Sequence, residues 1–186
     1  RAVWARGNDD AKITINGGTF KGCEAGYTGG GNSVIYASSS NVIDIYGGTF
    51  EALAEDTESY ADTLYPILNV ADNNGMINVY GGLFKGQNPA APGTEPKAWN
   101  DAHPNGFVAD GYRVVKSGED FSVVPKDFVI STEELVEAFK NGDANITLAN
   151  DIVLEDRLEV AAGQEVNLNL NGKTITLEGT SVDPAF

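Results

Sequence analysis

One cysteine (Cys23), one histidine (His103) and one methionine occur in a chain of 186 residues. A single thiol closes no intramolecular disulfide and builds no cysteine-based zinc site, so neither staple is available to the fold. Cys23 is expected to serve as a small, half-buried apolar side chain. His103 sits beside Trp99 and Asp101 in a proline-rich stretch, without a second His or Cys to share a metal or a proton with, and reads as a solvated loop residue. Positive charge is scarce: 12 Lys and Arg stand against 27 Asp and Glu, a formal charge of −15. Nucleic acid and anionic membrane both repel such a surface, and neither is expected as a partner. No apolar run approaches the roughly 18 residues of a membrane span, so membrane insertion is not expected. The opening "RAVWARGNDD" lacks the apolar centre of a signal peptide, and any export is expected to be directed by sequence outside these residues.

What the chain has in quantity is glycine, 22 residues, and a repeated phrase. "ITINGGTF" (13–20) returns as "IDIYGGTF" (43–50) and "INVYGGLF" (77–84). Gly17, Gly47 and Gly81 are 30 and 34 residues apart, a period that signals stacked supersecondary units. Within each copy the side chains alternate. Ile13 and Ile15, Ile43 and Ile45, and Ile77 and Val79 occupy one face; Thr14 and Asn16, Asp44 and Tyr46, and Asn78 and Tyr80 occupy the other. That is the period of a strand. The Gly-Gly pair is expected to supply positive φ and a sharp turn, after which Phe20, Phe50 or Phe84 points inward. A second short strand precedes each phrase, in "AVWA", "SVIYA" and "PILNVA". Stacking such units sets like on like at about 4.8 Å. Columns of isoleucine and phenylalanine should fill the inside, Lys21, Glu51 and Lys85 should alternate in charge outside, and Tyr46 should lie over Tyr80.

The phrase I-x-I-x-G-G-T-F in this setting resembles the right-handed parallel β-helix of the pectate-lyase-like superfamily, and in particular the β-helix modules of gut-bacterial surface proteins and phage fibres. The resemblance implies an all-β fold, a right-handed parallel β-helix (solenoid) with a β-hairpin and one short capping helix. It implies little about activity, because that superfamily holds lyases, hydrolases, adhesins and inert spacers.

Four segments follow. Residues 1–86 are expected to form β-helix coils, and 87–110, with four of the seven prolines, a proline-rich excursion. Residues 111–127 alternate on both sides of Ser117-Gly118-Glu119-Asp120 and predict a hairpin of the kind that closes modules in the resembled family. Residues 128–186 are expected to be a helix cap and the opening coils of a β-helix. Ser131 with Glu134 makes a capping box, Leu135, Ala138 and Phe139 an apolar stripe, and Asn141-Gly142 a stop. Short strands are then expected in "ITLANDIVL", "RLEVA" and "VNLNLNGKTITLEG".

This order is inverted: a solenoid is closed and another is begun, which leaves coils open. Their cover is expected from adjacent modules of a longer chain, from neighbouring copies stacking head to tail into a filament, or from the C-terminal strands folding back. The candidate stacking interface is Ala2, Trp4, Ile13 and Ile15 on one side and Val166, Leu168, Leu170 and Ile175 on the other.

Little chemistry is visible. A lyase of the resembled fold needs carboxylates for calcium and an Arg or Lys as proton acceptor. Asp44 is expected to face outward, but its equivalents are Thr14 and Asn78, with Lys12, Lys21 and Lys85 as the nearby cations. "GNDD" (7–10) and "ADNNG" (71–75) are Asx-rich turns lacking the bidentate Glu of a calcium loop, and "EALAEDTESYAD" (51–62) is an acidic loop. "NIT" (145–147) matches a glycosylation acceptor but opens a strand. No catalytic, cofactor-binding or metal-binding residue is assigned, and no cofactor is expected. Tyr46 and Tyr80, with Tyr36, Trp4 and Trp99 as company, are candidates for stacking on sugar rings, although cross-repeat packing on a sheet surface is the better explanation for any one of them. The expected role is a non-catalytic structural unit of an extracellular fibre, filament or adhesin, on a bacterial surface or a virion, with surface glycans as further partners. The alternative is a carbohydrate-binding or polysaccharide-cleaving β-helix.

Overall fold

The computed structural model describes residues 2–6, 10–22, 33–52, 67–70, 75–90 and 106–179. Cys23, Trp99, Asp101 and His103 lie outside the described residues, as do most of "GNDD", "ADNNG" and the acidic loop, and the middle of the proline-rich stretch. The chain divides into two compact units, Arg1–Pro125 and Lys126–Phe186. Apart from one short helix the described residues are all-β, and their strands build mostly parallel sheets.

In the first unit each repeat gives one short strand to each of three sheets. The first repeat supplies β1 (Val3–Ala5), β2 (Lys12–Ile15) and β3 (Thr19–Lys21). The second supplies β4 (Ile35–Ala37), β5 (Val42–Ile45) and β6 (Thr49–Glu51), and the third β7 (Leu68–Val70), β8 (Met76–Val79) and β9 (Gly82–Lys85). β1-β4-β7 and β2-β5-β8 are parallel sheets, and β3-β6-β9 is the parallel part of a third. β-branched residues are frequent in the strands, as suits side chains packed against a pleated surface.

Register follows the phrase. Ile13, Ile43 and Ile77 are aligned, as are Ile15, Ile45 and Val79, and Phe20, Phe50 and Phe84. The phenyl rings stack with centroids 5.1 and 4.9 Å apart, tilted by 8° and 15°. Phe50 and Phe84 are fully buried, while Phe20 at the edge is only partly covered. Each buried ring contributes on the order of 1.5–3 kcal/mol.

The two glycines of each phrase do different jobs. Only the second takes positive φ: Gly18 at 104°, Gly48 at 118° and Gly82 at 115°. The first provides clearance. A Cβ on Gly47 would stand 2.9 Å from the Asn16 carbonyl oxygen, and one on Gly81 2.4 Å from that of Tyr46. The expectation that the pair as a whole supplies positive φ is corrected to this division.

Beyond the third repeat other parts of the chain occupy the strand edges. β10 (Tyr112–Ser117) and β11 (Asp120–Pro125) form the expected hairpin around Gly118, and β11 pairs antiparallel with β9. Val108 bridges to Val79 on β8, and the Gln87 side-chain oxygen accepts the Ile67 N–H at 2.7 Å. Residues at both ends of the proline-rich stretch are therefore tied to the sheets; the Phe107 N–H donates to the Pro89 carbonyl at 2.9 Å.

In the second unit, α1 (Thr132–Asn141) precedes two parallel pairs: β12 (Asn145–Thr147) with β14 (Asn167–Asn169), and β13 (Ile152–Leu154) with β15 (Ile175–Leu177). The Glu134 N–H donates to Ser131 Oγ at 3.2 Å, and Glu134 Oε2 accepts from the Ile130 N–H, one residue before the N-cap. At the other end Gly142 sits at φ 72°, its N–H donating to the Phe139 carbonyl and that of Asp143 to the Ala138 carbonyl, which completes a Schellman stop. Leu135 and Ala138 join a core with Ile146, Leu148, Ile152 and Leu154. "RLEVA" is not a strand: residues 157–161 form no ladder, and Val160 is exposed.

Candidate functional site

The outward face of β2-β5-β8 gathers the chemistry that the first unit displays. Asp44 takes an outward position in the alternation, yet only 4% of it is exposed. Register explains this. Lys12 pairs with Val42, so its side chain reaches diagonally to Asp44, with Nζ 2.7 Å from Oδ2. Asn78 is aligned with Asp44 from the other side and donates Nδ2–H to Oδ1 at 2.8 Å. Both carboxylate oxygens are therefore engaged on the outward face.

Burial by itself would push the Asp44 carboxyl up, but the hydrogen bonds from Lys12 and Asn78, with the Lys12 charge, outweigh it and hold the group below its ordinary value. Lys12 is correspondingly raised by its hydrogen bond and attraction to Asp44. An acid held ionised in this way is a poor proton donor near neutrality. Glu51 is likewise held low by Lys21, at 3.3 Å, with Lys85 at 3.6 Å on its other side.

Beside this pair the tyrosines form a short ladder. Tyr46 and Tyr80 stack at 4.7 Å, tilted 7°, and Tyr112 from the hairpin meets Tyr80 edge-on at 5.4 Å. Burial pushes the Tyr80 hydroxyl up, with the Asp44 charge adding to it. Tyr46 keeps 51% of its surface exposed, because the equivalent position in the first repeat is Asn16. The two candidate sugar-stacking residues are thus brought together, with one ring open on one side.

The candidate stacking residues fall in both units. In the first, Ala2 and Trp4 are exposed, Ile13 is half-buried and Ile15 buried. Trp4 already carries Arg6 over its ring at 4.7 Å and meets Tyr36 edge-on. In the second unit Val166, Leu168 and Ile175 are half-buried against the core, and Leu170 is 40% exposed.

Two features had no signal in the sequence reading. Asn41 is fully buried at the corner between β4 and β5, where its oxygen accepts the Ala11 N–H and its amide donates to the Ala5 and Ser38 carbonyls. The second unit also carries an open cleft of about 780 Å³, with Val136, Phe139 and Leu158 among its apolar lining and Glu133, Glu155 and Asp156 among its acids. Sequence spacing alone does not bring α1 and residues 153–159 to one hollow. Among the described residues no group of three or more His, Cys, Asp and Glu is placed to hold a metal ion, and no helix is long and apolar enough to cross a membrane.

No protein-family description matches the chain, and no solved structure does. The chain is similar over 99 residues, at 31% identity, to the pyoverdine export ATP-binding/permease protein PvdT of Pseudomonas syringae pv. syringae. The matched segment covers 53% of this chain and 15% of that protein.

Proposed function

We propose that the three repeats are coils of a right-handed parallel β-helix, and that the chain is a non-catalytic structural unit of an extracellular fibre, filament or adhesin on a bacterial surface or virion. One observation carries this reading: the strand positions of the repeated phrase meet their own equivalents in the next repeat, inside as isoleucine and phenylalanine ladders, with paired charges and stacked tyrosines outside. The outward groups are spent on one another. Asp44 is neutralised by Lys12 and Glu51 by two lysines, where a cleaving site needs two acids and a base converging on one point. Neighbouring copies or adjacent β-helix modules are the proposed partners.

The test is incubation with pectin-like and host-type polysaccharides, scored for unsaturated and reducing ends, alongside negative-stain imaging. Rod-like particles and no new ends support the structural reading, and release of ends overturns it. Carbohydrate binding is a second reading, favoured by the open Tyr46 ring. Glycan binding that is lost in Tyr46→Ala would establish it.

A further inference from the structure

Gly17 is a glycine for which the first unit itself gives no reason. Its φ is not positive, and a Cβ built on it meets nothing within 4 Å among the described residues. The same glycine in the next two repeats is obligatory, since the preceding repeat's carbonyl would lie 2.9 Å from a Cβ on Gly47 and 2.4 Å from one on Gly81. The donors follow the same rule. The Tyr46 N–H donates to the Ile15 carbonyl and the Tyr80 N–H to the Ile45 carbonyl, each at 2.8 Å, and the matching donor of the first repeat is the Asn16 N–H at the outer edge of β2. Ile13 and Phe20 are half-covered where Ile43 and Phe50 are sealed. β2 and β3 are the outermost strands of their sheets. Glycine, donor and apolar column are all shaped for a turn and two strands that would lie on β2 and β3.

We infer that this edge receives residues 168–175 of a second copy of the chain. This deepens the reading of the repeats as stacked coils and rests on it. The segment is "LNLNGKTI", which aligns with "ITINGGTF" of 13–20: Leu168 with Ile13, Leu170 with Ile15, Asn171 with Asn16, Gly172 with Gly17, Thr174 with Thr19 and Ile175 with Phe20. β14 and β15 are outermost in their two-stranded sheets, and each follows its partner in chain order, as β5 follows β2. Added to the edge, β14 extends β2-β5-β8 and β15 extends the sheet of β3, with the direction of succession kept. The Asn171 carbonyl takes the place against Gly17 that the Asn16 carbonyl takes against Gly47, and the Leu170 carbonyl that of Ile15 as acceptor for the next N–H. Leu168 and Leu170 cover Ile13 and Ile15, and Ile175 covers Phe20.

The experiment uses the full chain in sedimentation and thermal melting. Wild type should associate reversibly. At dilutions where both are monomeric, Gly17→Val should melt at the wild-type temperature, because its side chain enters open space, yet at higher concentration it should associate about tenfold or more weakly, because that space is where the partner's carbonyl belongs. A register trap serves as a second readout. Thr14→Cys in one chain and Asn169→Cys in another, both in a Cys23→Ser background, should join by a disulfide on mixing, since in-register neighbours on adjacent strands fall within bonding reach. Wild type that stays monomeric at about 1 mM, association indifferent to Gly17→Val, or a doubly substituted chain that closes its disulfide as a monomer each overturns the inference. The coil reading has its own control: Gly81→Ala must melt lower than wild type, and if it does not, that reading fails whatever the association results.

Discussion

Phe84 lies almost parallel to Phe50, centroids 4.9 Å apart, and both rings are sealed from solvent. Phe50 also stacks on Phe20 and so occupies the middle of the ladder. Phe50→Ala should therefore remove contacts in both directions and cost about 3–5 kcal/mol. Phe20→Ala, at the half-covered edge, should cost clearly less. Urea unfolding of the two variants checks the order, and equal losses would contradict the ladder.

Clearance at the turns gives a second test. Gly81→Ala places a methyl group against the Tyr46 carbonyl, and backbone must shift to accept it, at a cost of about 1–3 kcal/mol. Gly17→Ala meets nothing and should leave the unfolding midpoint of the monomer unchanged. The comparison isolates the neighbouring repeat, because neither glycine has positive φ.

Asp44 should make stability depend on pH in a specific sense. Its folded pKa lies below the ordinary 3.8, so its contribution is complete above that value and is lost as the pH falls through the folded pKa. Lys12 is raised above 10.5, so its contribution is complete below that value and is lost as the pH climbs through the folded pKa. The pair is thus fully effective between these limits. Asp44→Ala should cost on the order of 1–3 kcal/mol at neutral pH, since it strands the Asn78 amide, and it should flatten the acid limb of a stability–pH curve. An acid limb as steep as that of wild type would show that Asp44 does not carry it.

In the second unit the helix start is the sensitive point. Ser131→Ala removes the acceptor of the Glu134 N–H and should destabilise that unit by about 1 kcal/mol. Ser131→Asp, which keeps an acceptor, should restore most of the loss. Helical circular dichroism followed through a urea titration reads both.

The threefold phrase made the ladders legible, because alternation assigns each side chain to a face and stacking then sets equivalent residues together. The hairpin around Gly118 and the helix between Ser131 and Gly142 were legible for the same local reason: turn and cap residues act within a few positions of themselves. The fate of Asp44 was not. Its burial depends on Lys12 arriving diagonally from one neighbour and Asn78 directly from another, which is a matter of register between segments more than 30 residues apart in sequence. The division of labour in the Gly-Gly pair was hidden likewise, since the obstacle facing Gly47 or Gly81 belongs to a different repeat. Residues 157–161 failed as a strand although their apolar residues alternate, because they form no strand ladder.

Ile43 meets Ile13 on one side and Ile77 on the other, and Phe50 meets Phe20 and Phe84. The middle repeat therefore presents outward the same relief that it accepts. A duplicate of residues 42–75 inserted after Gly75 would continue the isoleucine and phenylalanine ladders and lengthen the stack by one strand spacing, about 4.8 Å, provided that its copies of Asp44 and Glu51 are replaced by Asn and Lys so that no carboxylate faces its own duplicate. Reach in such a molecule is set by copy number, as on a ruler graduated in whole repeats.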